Sequence, residues 1–184
     1  YIRVSLLFDT LTWKDEDGVI PWLADDWRVS GDGTEWTFSL HPDVTWHDGE
    51  PLTAEDVAFT YEYFKAHQGA LRWSWPVGKI EGAEAVGEET VVVTLTDAIA
   101  GAHEGLIGSV PIIPKHIWEG VEDPAKMTSD EAVIGSGPFT LLEYSKEEAR
   151  YVYEANEDYF KGTSTIDELV FIKVENQALA LETD

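Results

Sequence analysis

The chain has 184 residues, a length that suits one ordinary domain or two small ones. Its hydrophobic fraction of 43%, with eight Trp, seven Tyr and seven Phe, is sufficient for a packed core and excludes a disordered chain. Thirty-six acidic residues against twelve basic ones give a formal net charge of −24, which argues against nucleic acid and anionic lipid as partners.

The acidic residues are scattered along the whole chain, and only eight lysines accompany them. A role in binding polycations or metals would cluster the acids, whereas adaptation to high salt scatters them and depletes lysine. The pattern therefore indicates a salt-adapted, haloarchaeal source. In dilute buffer, repulsion among the acidic residues should destabilise the fold, whereas molar salt would screen that repulsion.

Cysteine is absent, so neither a disulfide framework nor a thiolate metal site is possible. No apolar run approaches the roughly 20 residues of a membrane span, and no segment of the sequence has the pattern of a signal peptide. The chain begins without methionine inside the apolar stretch "YIRVSLLFDTLTW" and stops in the helix-like "ENQALALETD". We therefore expect it to be a piece of a longer protein.

The first elements along the chain are predicted to be mostly strands. Residues 2–13 are apolar and could form a helix or a strand, and a turn follows at Asp17-Gly18. Hydrophobic side chains alternate on both sides of "SGDG", which predicts a β-hairpin; they are Trp27, Val29, Trp36, Phe38 and Leu40. Val44 and Trp46 extend the alternation and predict a third short strand.

The stretch "TWHDGEPLTAEDV" places one histidine among several carboxylates. Asp48-Gly49 is a turn dipeptide and Pro51 ends the preceding strand, because proline cannot donate to a ladder. Thr53 and Asp56 have the spacing of a capping box, which predicts a helix over 54–65. A metal site would need a second ligand at a suitable spacing, and only His47 is present. The stretch is interpreted as a structural corner; the alternative is a metal-dependent hydrolase that uses His47 and the neighbouring acids.

Strands dominate the second half as well. Val91, Val93 and Leu95 predict a strand, and Pro114 is well placed to begin a short helix over 115–118. Two strands are predicted around a turn at residues 145–148, and another strand over 169–174, followed by the start of a helix.

No motif in the chain predicts catalysis. The five histidines have no metal-ligand spacing; they are His41, His47, His67, His103 and His116. The segment "IGSGP" lacks the spacing of a nucleophile elbow, and no glycine-rich phosphate loop joins a strand to a helix. We therefore predict no catalytic residue, no metal site and no cofactor.

Several blocks together resemble one protein family. They are "LFDTLTW", "PWLADDWRVSGDGTEWTFSLHPDVTWHDGEPLTAEDVAFTYEYF", "PIIPKHIWE", "IGSGPFTLLEY", "EANEDYFKG" and "IDELVFIKV". In sequence and spacing they resemble the family 5 extracellular solute-binding proteins, which are dipeptide, oligopeptide and nickel receptors of ABC importers. The resemblance covers essentially the whole chain, and the long second block is its most specific part.

The resemblance implies a mixed α/β chain with a periplasmic-binding-protein-like type II fold, of which only lobe I is present. Residues 1–8 and 114–184 would form a discontinuous core subdomain, and residues 9–113 an inserted subdomain. The second lobe and the family's N-terminal strand are absent, so the chain should hold at most half of a binding site.

The function implied by the resemblance is reversible capture of a solute without chemistry, with closure of the two lobes about a hinge. The expected ligand is a short peptide, with an oligosaccharide or a metal chelate as alternatives, and the expected partner is a membrane ABC permease. The full protein would be a monomer outside the cytoplasm, at the cell surface or anchored to the membrane. A non-binding acidic surface module remains the other alternative.

The first group of expected ligand-binding residues follows the capped helix. Family members place an aromatic residue facing the cleft in this loop, which here carries Trp73 and Trp75. An indole offers a flat apolar face and one N–H donor. Both tryptophans could instead pack in the core. Arg72 could bind a ligand carboxylate, or could pair with a surface acid.

The second group lies where the chain passes between the two expected subdomains. Gly135, Ser136 and Gly137 could bring backbone amides close to a ligand, or could only form a tight connection before a strand. Asp9 and Thr10 could line the edge of the cleft, or could form a structural turn.

Overall fold

The computed structural model describes residues 2–68 and 77–173, with side chains from residue 4 onward. Four α-helices occur in this part of the chain: α1 (Ile2–Leu7), α2 (Ala54–Ala66), α3 (Ala102–Gly105) and α4 (Lys115–Trp118). The described strands are β1 (Thr12–Asp15), β2 (Gly18–Pro21), β3 (Ala24–Val29), β4 (Glu35–Leu40), β5 (Ile80–Ala85), β6 (Thr90–Leu95), β7 (Phe139–Ser145), β8 (Arg150–Ala155) and β9 (Glu168–Ile172). Each helix in these ranges is too short to cross a membrane.

All described strands pair in antiparallel fashion, in three sheets. β1 and β2 form a hairpin, β3-β4-β6-β5 form a four-stranded sheet, and β7-β8-β9 form a three-stranded sheet. The predicted hairpin around "SGDG" is confirmed: Trp27 lies opposite Phe38, and Phe38 lies opposite Val91 on the other side. Alternate residues of β4 are buried, as a strand with one face on a core requires.

Helix α2 packs on the four-stranded sheet. Its predicted start is confirmed, since the backbone N–H of Thr53 donates to Asp56 Oδ2 at 2.9 Å in a capping box. Val57 and Tyr61 are fully buried, and the Tyr61 hydroxyl donates to the carbonyl of Ile107 at 2.9 Å. This bond attaches the segment that follows α3 to the helix.

The structure differs from the predicted pattern at two places. Residues 41–53 form a loop instead of a third strand, with one isolated bridge between Thr45 and Pro51. Val44 and Trp46 are buried all the same, so their alternation reflects burial without a strand partner. The apolar start of the chain divides into helix α1 and strand β1.

Buried apolar side chains form two clusters. The larger cluster joins the four-stranded sheet, α2 and residues 106–113. The smaller one centres on Leu7, Phe139 and Tyr153, and it joins α1 to the β7-β8-β9 sheet. Phe8 packs against both clusters. The chain thus passes from one cluster to the other immediately before Asp9.

Candidate functional site

The loop of residues 135–137 lies directly against the end of α1. A Cβ atom added to Gly135 would lie 1.8 Å from the Leu7 carbonyl oxygen, and one added to Gly137 would lie 2.5 Å from the Leu6 oxygen. The backbone N–H of Gly137 donates to the Leu7 carbonyl at 2.8 Å. Glycine is required at both positions because the two backbones approach too closely for a side chain.

Asp9 is a buried carboxylate that joins four separated parts of the chain. Its Oδ1 accepts hydrogen bonds from Trp22 Nε1 at 2.8 Å and from the Tyr159 hydroxyl at 2.9 Å. Its Oδ2 accepts from the Ser136 hydroxyl at 2.9 Å, and its carbonyl accepts from the N–H of Ile112 at 2.9 Å. The side chains of both Asp9 and Ser136 are almost fully buried.

The environment of Asp9 shifts its proton affinity. Burial raises the pKa of Asp9 to about 6, because desolvation disfavours the carboxylate more than its surroundings favour it. The opposing influences are the hydrogen bonds from Trp22, Ser136 and Tyr159 and the nearby charge of Lys161.

An aromatic surface extends outward from Trp22. Its ring lies 5.4 Å from that of Trp13, measured between centroids, and Trp13 is 37% exposed. The Lys161 ammonium lies 4.7 Å from the centroid of Trp22 and 5.4 Å from that of Phe160. Because the Trp22 N–H is held by Asp9, this indole has a fixed orientation between an exposed aromatic ring and a cation.

Trp13 forms one wall of an open groove of about 220 Å³. The groove is lined by Thr10, Thr12, Trp13, Lys14, Glu104 and Ser109. A crevice of about 20 Å³ adjoins it and shares Thr10, Trp13 and Ser109 as lining residues. Whole ligand pockets usually enclose about 300–1,000 Å³, so the groove has the size of part of a site.

The opposite wall of the groove is attached to β1 by tight packing at Gly108. A Cβ atom there would lie 1.8 Å from the His103 carbonyl oxygen and 2.0 Å from Thr12 Oγ1. The Thr12 N–H donates to the Gly108 carbonyl at 3.2 Å, and the Thr12 hydroxyl donates to the His103 carbonyl at 2.7 Å. These contacts set the distance between Ser109 and Trp13 across the groove.

His47 forms hydrogen bonds with the same loop of residues 135–137 that contacts α1. Its Nδ1 accepts from the N–H of Gly135 at 3.1 Å, which places the ring proton on Nε2, and Nε2 donates to the Gly137 carbonyl at 3.0 Å. The backbone N–H of His47 donates to the Gly135 carbonyl at 2.8 Å. Burial lowers the pKa of His47 below its ordinary value, so the neutral ring is favoured. Neither ring nitrogen is left to bind a metal.

The acids around His47 also have structural partners. Asp56 Oδ1 accepts from the N–H of Lys115 at 2.8 Å, which joins the start of α4 to the cap of α2. Glu55 pairs with Lys115 Nζ at 2.8 Å, and Asp48 with His116 Nε2 at 2.9 Å. Within the described ranges, no three His, Cys, Asp or Glu side chains converge to hold a metal ion. The interpretation of "TWHDGEPLTAEDV" as a corner agrees with these contacts.

The structure brings together several of the residues expected to bind ligand. Asp9 and Ser136 are in direct contact but buried, and the amides of Gly135 and Gly137 bond to His47 and Leu7, as in a tight connection. Of these expected residues, Thr10 is the one that lines the groove. Arg72, Trp73 and Trp75 lie outside the described residues.

Sequence reasoning missed four residues of this region: Trp13, Trp22, Ser109 and Lys161. A sequence signal was available for Trp13, because it lies in the same block, "LFDTLTW", as Asp9 and Thr10. Nothing local in the sequence connects Lys161 with Trp22.

A second cavity, of about 370 Å³, lies on the β7-β8-β9 sheet and shares no lining residue with the groove. Its walls are Tyr144, Lys146, Ala149, Tyr151, Phe171, Ile172 and Lys173. The last of these residues ends the described range, so one side of the cavity adjoins residues outside it. We therefore take the groove at Trp13 as the candidate site.

A groove with aromatic and hydroxyl walls, held in place by a buried hydrogen-bond network, has the chemistry of one wall of a small-solute site. Residues 18–183 match the family profile described as bacterial extracellular solute-binding proteins, family 5 middle. The chain belongs to this family, whose members bind solutes for transport and are not enzymes.

Individual relatives support this assignment. The chain is 30% identical to the nickel-binding periplasmic protein of Escherichia coli strain K12 over an alignment of 186 positions. The alignment covers 97% of this chain and 34% of the relative. Among solved structures, AppA of Bacillus subtilis, an oligopeptide-binding protein in complex with a nonapeptide, is similar with a TM-score of 0.87 and 27% identity, over 96% of this chain and 36% of that one. NikZ of Campylobacter jejuni, in complex with Ni(L-His), has a TM-score of 0.85 and 28% identity, over 97% and 36%.

These solved structures have the type II periplasmic-binding-protein fold, and their similarity to this chain confirms the expected fold class. The chain spans between about a quarter and about a third of the length of the relatives it matches.

Proposed function

We propose that the full-length protein is the substrate-binding receptor of an ABC importer. It captures a short peptide outside the cell and delivers it to the membrane permease. The observation that carries the proposal is the groove beside Asp9, where Thr10, Trp13 and Ser109 present one exposed indole and two hydroxyl-bearing side chains. An indole suits stacking on a ligand side chain, and the groove's modest volume fits one wall of a cleft that a second lobe completes.

Names of relatives support a peptide as the ligand. They include a probable peptide-binding protein of Agrobacterium fabrum, 30% identical over 85% of this chain, and a di/tripeptide-binding protein of Pseudomonas aeruginosa, 30% identical over 97% of it. A metal chelate is the second candidate, because the E. coli relative is a nickel-binding protein.

We also propose that residues 1–8 and 114–184 form the core subdomain and residues 9–113 the insertion. Two separate apolar clusters support this division, since the smaller one joins α1 to β7, β8 and β9, and the larger one is built mainly from residues 11–113. Asp9 stands at the crossing between them and bonds to Trp22 on one side and to Ser136 and Tyr159 on the other.

The proposed location is outside the cytoplasm, at the cell surface or anchored to the membrane. The family's extracellular members support the location. We also propose that the receptor is a monomer and that it does not bind nucleic acid, whose phosphates its net charge of −24 repels.

The hydrolase alternative loses its central residue. It needed His47 as a metal ligand, and both ring nitrogens of His47 are bonded to the glycine loop. The non-binding acidic module remains as an outcome of the binding experiment.

The test is thermal unfolding of the full-length protein in molar KCl with pools of short peptides, oligosaccharides and divalent metals. A ligand at 100 times its Kd adds about 2.7 kcal/mol to the free energy of unfolding and raises the midpoint visibly. Trp13→Ala should remove most of the shift, because it deletes the exposed wall of the groove. Tyr144→Ala, at another exposed aromatic residue outside the groove, should keep it.

A full-length protein that no ligand in the three pools stabilises would support the non-binding module. A ligand shift that Trp13→Ala leaves intact would keep the receptor but move its site away from this groove.

A further inference from the structure

Lys161 differs from most lysines of this acidic protein. Five lysines in the described ranges form ion pairs with carboxylates: Lys14, Lys65, Lys79, Lys115 and Lys126. Lys161 has no such pair in the described part of the chain, and its ammonium lies instead over Trp22 and Phe160. Lys146 and Lys173 also have no pair there, but both line the separate cavity on the β7-β8-β9 sheet.

The position of Lys161 is set by rigid neighbours. The Trp22 indole is held by its hydrogen bond to Asp9 and packs against Trp13. A cation over an indole is attracted by the negative face of the ring, which favours the observed placement. The cation and the exposed Trp13 ring lie 4.7 and 5.4 Å from the centroid of the same indole, so they are no more than about 10 Å apart. A ligand about as long as three extended peptide residues can reach both.

The charge of the protein makes this cation informative. With thirty-six acidic residues in the chain, most lysines in the described ranges already pair with a carboxylate. A lysine without such a pair can still offer its charge to an anionic group of a ligand. Lys161 is such a lysine, because it forms no ion pair within the described residues. Its charge also acts on the nearby Asp9, which is buried and accepts hydrogen bonds from three other side chains.

We propose that Lys161, seated on Trp22, binds a carboxylate of the ligand while the adjacent apolar part of the ligand stacks on Trp13. The ligand class is a small solute with a carboxylate next to an apolar group. The C-terminus of a short peptide and the carboxylate of an amino acid that chelates a metal share this chemistry. The inference rests on the proposed function and specifies which end of the solute this lobe holds.

The experiment compares carboxylates with amides on the full-length protein in molar KCl. One arm uses a mixed pool of synthetic di- to pentapeptides with free C-termini, and the same pool with amidated C-termini. The other arm uses Ni²⁺ with L-histidine, and Ni²⁺ with L-histidinamide. Binding is measured by mass spectrometry of retained ligand and by isothermal titration, for the wild type, Lys161→Gln and the control Lys146→Gln.

The wild type should prefer the free acid by roughly tenfold or more, as the loss of a charge-assisted hydrogen bond requires. Lys161→Gln should abolish this preference by weakening acid binding alone, and Lys146→Gln should retain it. The arm in which the preference appears identifies the source of the carboxylate.

Equal affinity of the wild type for acid and amide would overturn the Lys161 subsite while leaving the receptor function in place. A preference that persists in Lys161→Gln would also overturn it. Absence of binding in both arms and in the three pools of the thermal experiment would overturn the proposed function, and the subsite with it.

Discussion

His47 and Asp9 contact the same loop of residues 135–137 and behave in opposite ways. His47 lies among acids in a stretch that resembles a metal site, yet both its ring nitrogens bond to backbone atoms of the loop. Asp9 lies in the apolar segment "LFDTLTW", yet it is the carboxylate on which Trp22, Ser136 and Tyr159 converge.

The comparison shows that the number of charged residues in a stretch of sequence does not predict which carboxylate forms the most buried hydrogen bonds. Two exposed acids near His47, Glu55 and Asp48, pair with Lys115 and His116, and such surface contacts are worth little. Asp56 is the buried acid of this stretch, and it caps α2 and bonds to the start of α4. Asp9 is taken out of water by α1 and the loop, so every one of its contacts matters energetically.

The largest effect should come from the loop itself. Gly135→Ala places a methyl group 1.8 Å from the Leu7 carbonyl oxygen, so the backbone must move and both contacts, to His47 and to α1, are strained. We expect the free energy of unfolding to fall by about 3 kcal/mol or more, measured by chemical denaturation of the full-length protein in molar KCl.

The control is Gly120→Ala, because nothing lies within 4 Å of a Cβ atom at Gly120 and its backbone is not in the left-handed region. That change should stay within about 0.5 kcal/mol of the wild type. Similar stabilities of the two variants would show that the loop tolerates a side chain at position 135. They would also show that the contacts of His47 and Asp9 do not depend on the glycine there.

The second effect concerns the pH dependence of Asp9. Its pKa is raised from 3.8 to about 6 by burial, so between these values the folded protein binds more protons than the unfolded chain. Its contribution to stability is therefore largest below pH 4 and is lost as the pH rises to 6, by at most about 3 kcal/mol.

Asp9→Asn should remove this slope, because the amide oxygen still accepts from Trp22 and Tyr159 and the side chain no longer titrates. The measurement is the wild-type unfolding free energy minus that of the variant at several values between pH 4 and 7, which cancels the other carboxylates. A difference that does not change with pH would mean that Asp9 is not desolvated as described.

A smaller effect, of the opposite sign in pH, is expected at His47. Burial lowers the pKa of its ring, and Nδ1 must stay unprotonated to accept from Gly135, so stability falls as the pH drops below the ordinary value of 6.5. His47→Ala should cost about 2 kcal/mol at pH 7, since it leaves the Gly135 N–H buried without its partner.

His116→Ala is the matched control, because it removes a histidine whose partner Asp48 lies in the same corner but at the surface. It should cost less than about 1 kcal/mol. Added Zn²⁺ should leave the free energy of unfolding of the wild type and of both variants unchanged. If Zn²⁺ stabilised the wild type and His47→Ala abolished that stabilisation, the metal-site hypothesis would be restored.

Much of the fold was predictable from local patterns. The hairpin at Trp27 and Phe38 follows from period-two alternation, and the start of α2 follows from the spacing of Thr53 and Asp56, because both signals operate within a few residues. The third strand was predicted wrongly at Val44 and Trp46, since alternation reports burial and not whether a partner strand is available.

The candidate site was predictable only in part. The family resemblance pointed to Asp9, Thr10 and the loop of residues 135–137, which the structure brings to one region. Trp22 and Lys161 could not be associated from sequence, because 138 intervening positions separate them and only the tertiary structure brings their side chains within 4.7 Å.

The hairpin at Trp27 and Phe38, the start of α2 and the resemblance to a solute-binding family could be read from the sequence, whereas the role of His47 required its contacts in the structure. The first three properties depend on periodicity, turn chemistry and motif spacing, all of which act over short stretches. The tertiary structure alone decided that Asp9 is buried and that Trp13, Trp22 and Lys161 form one surface. The reason is physical: desolvation and side-chain contacts arise between segments that only the packed chain brings together.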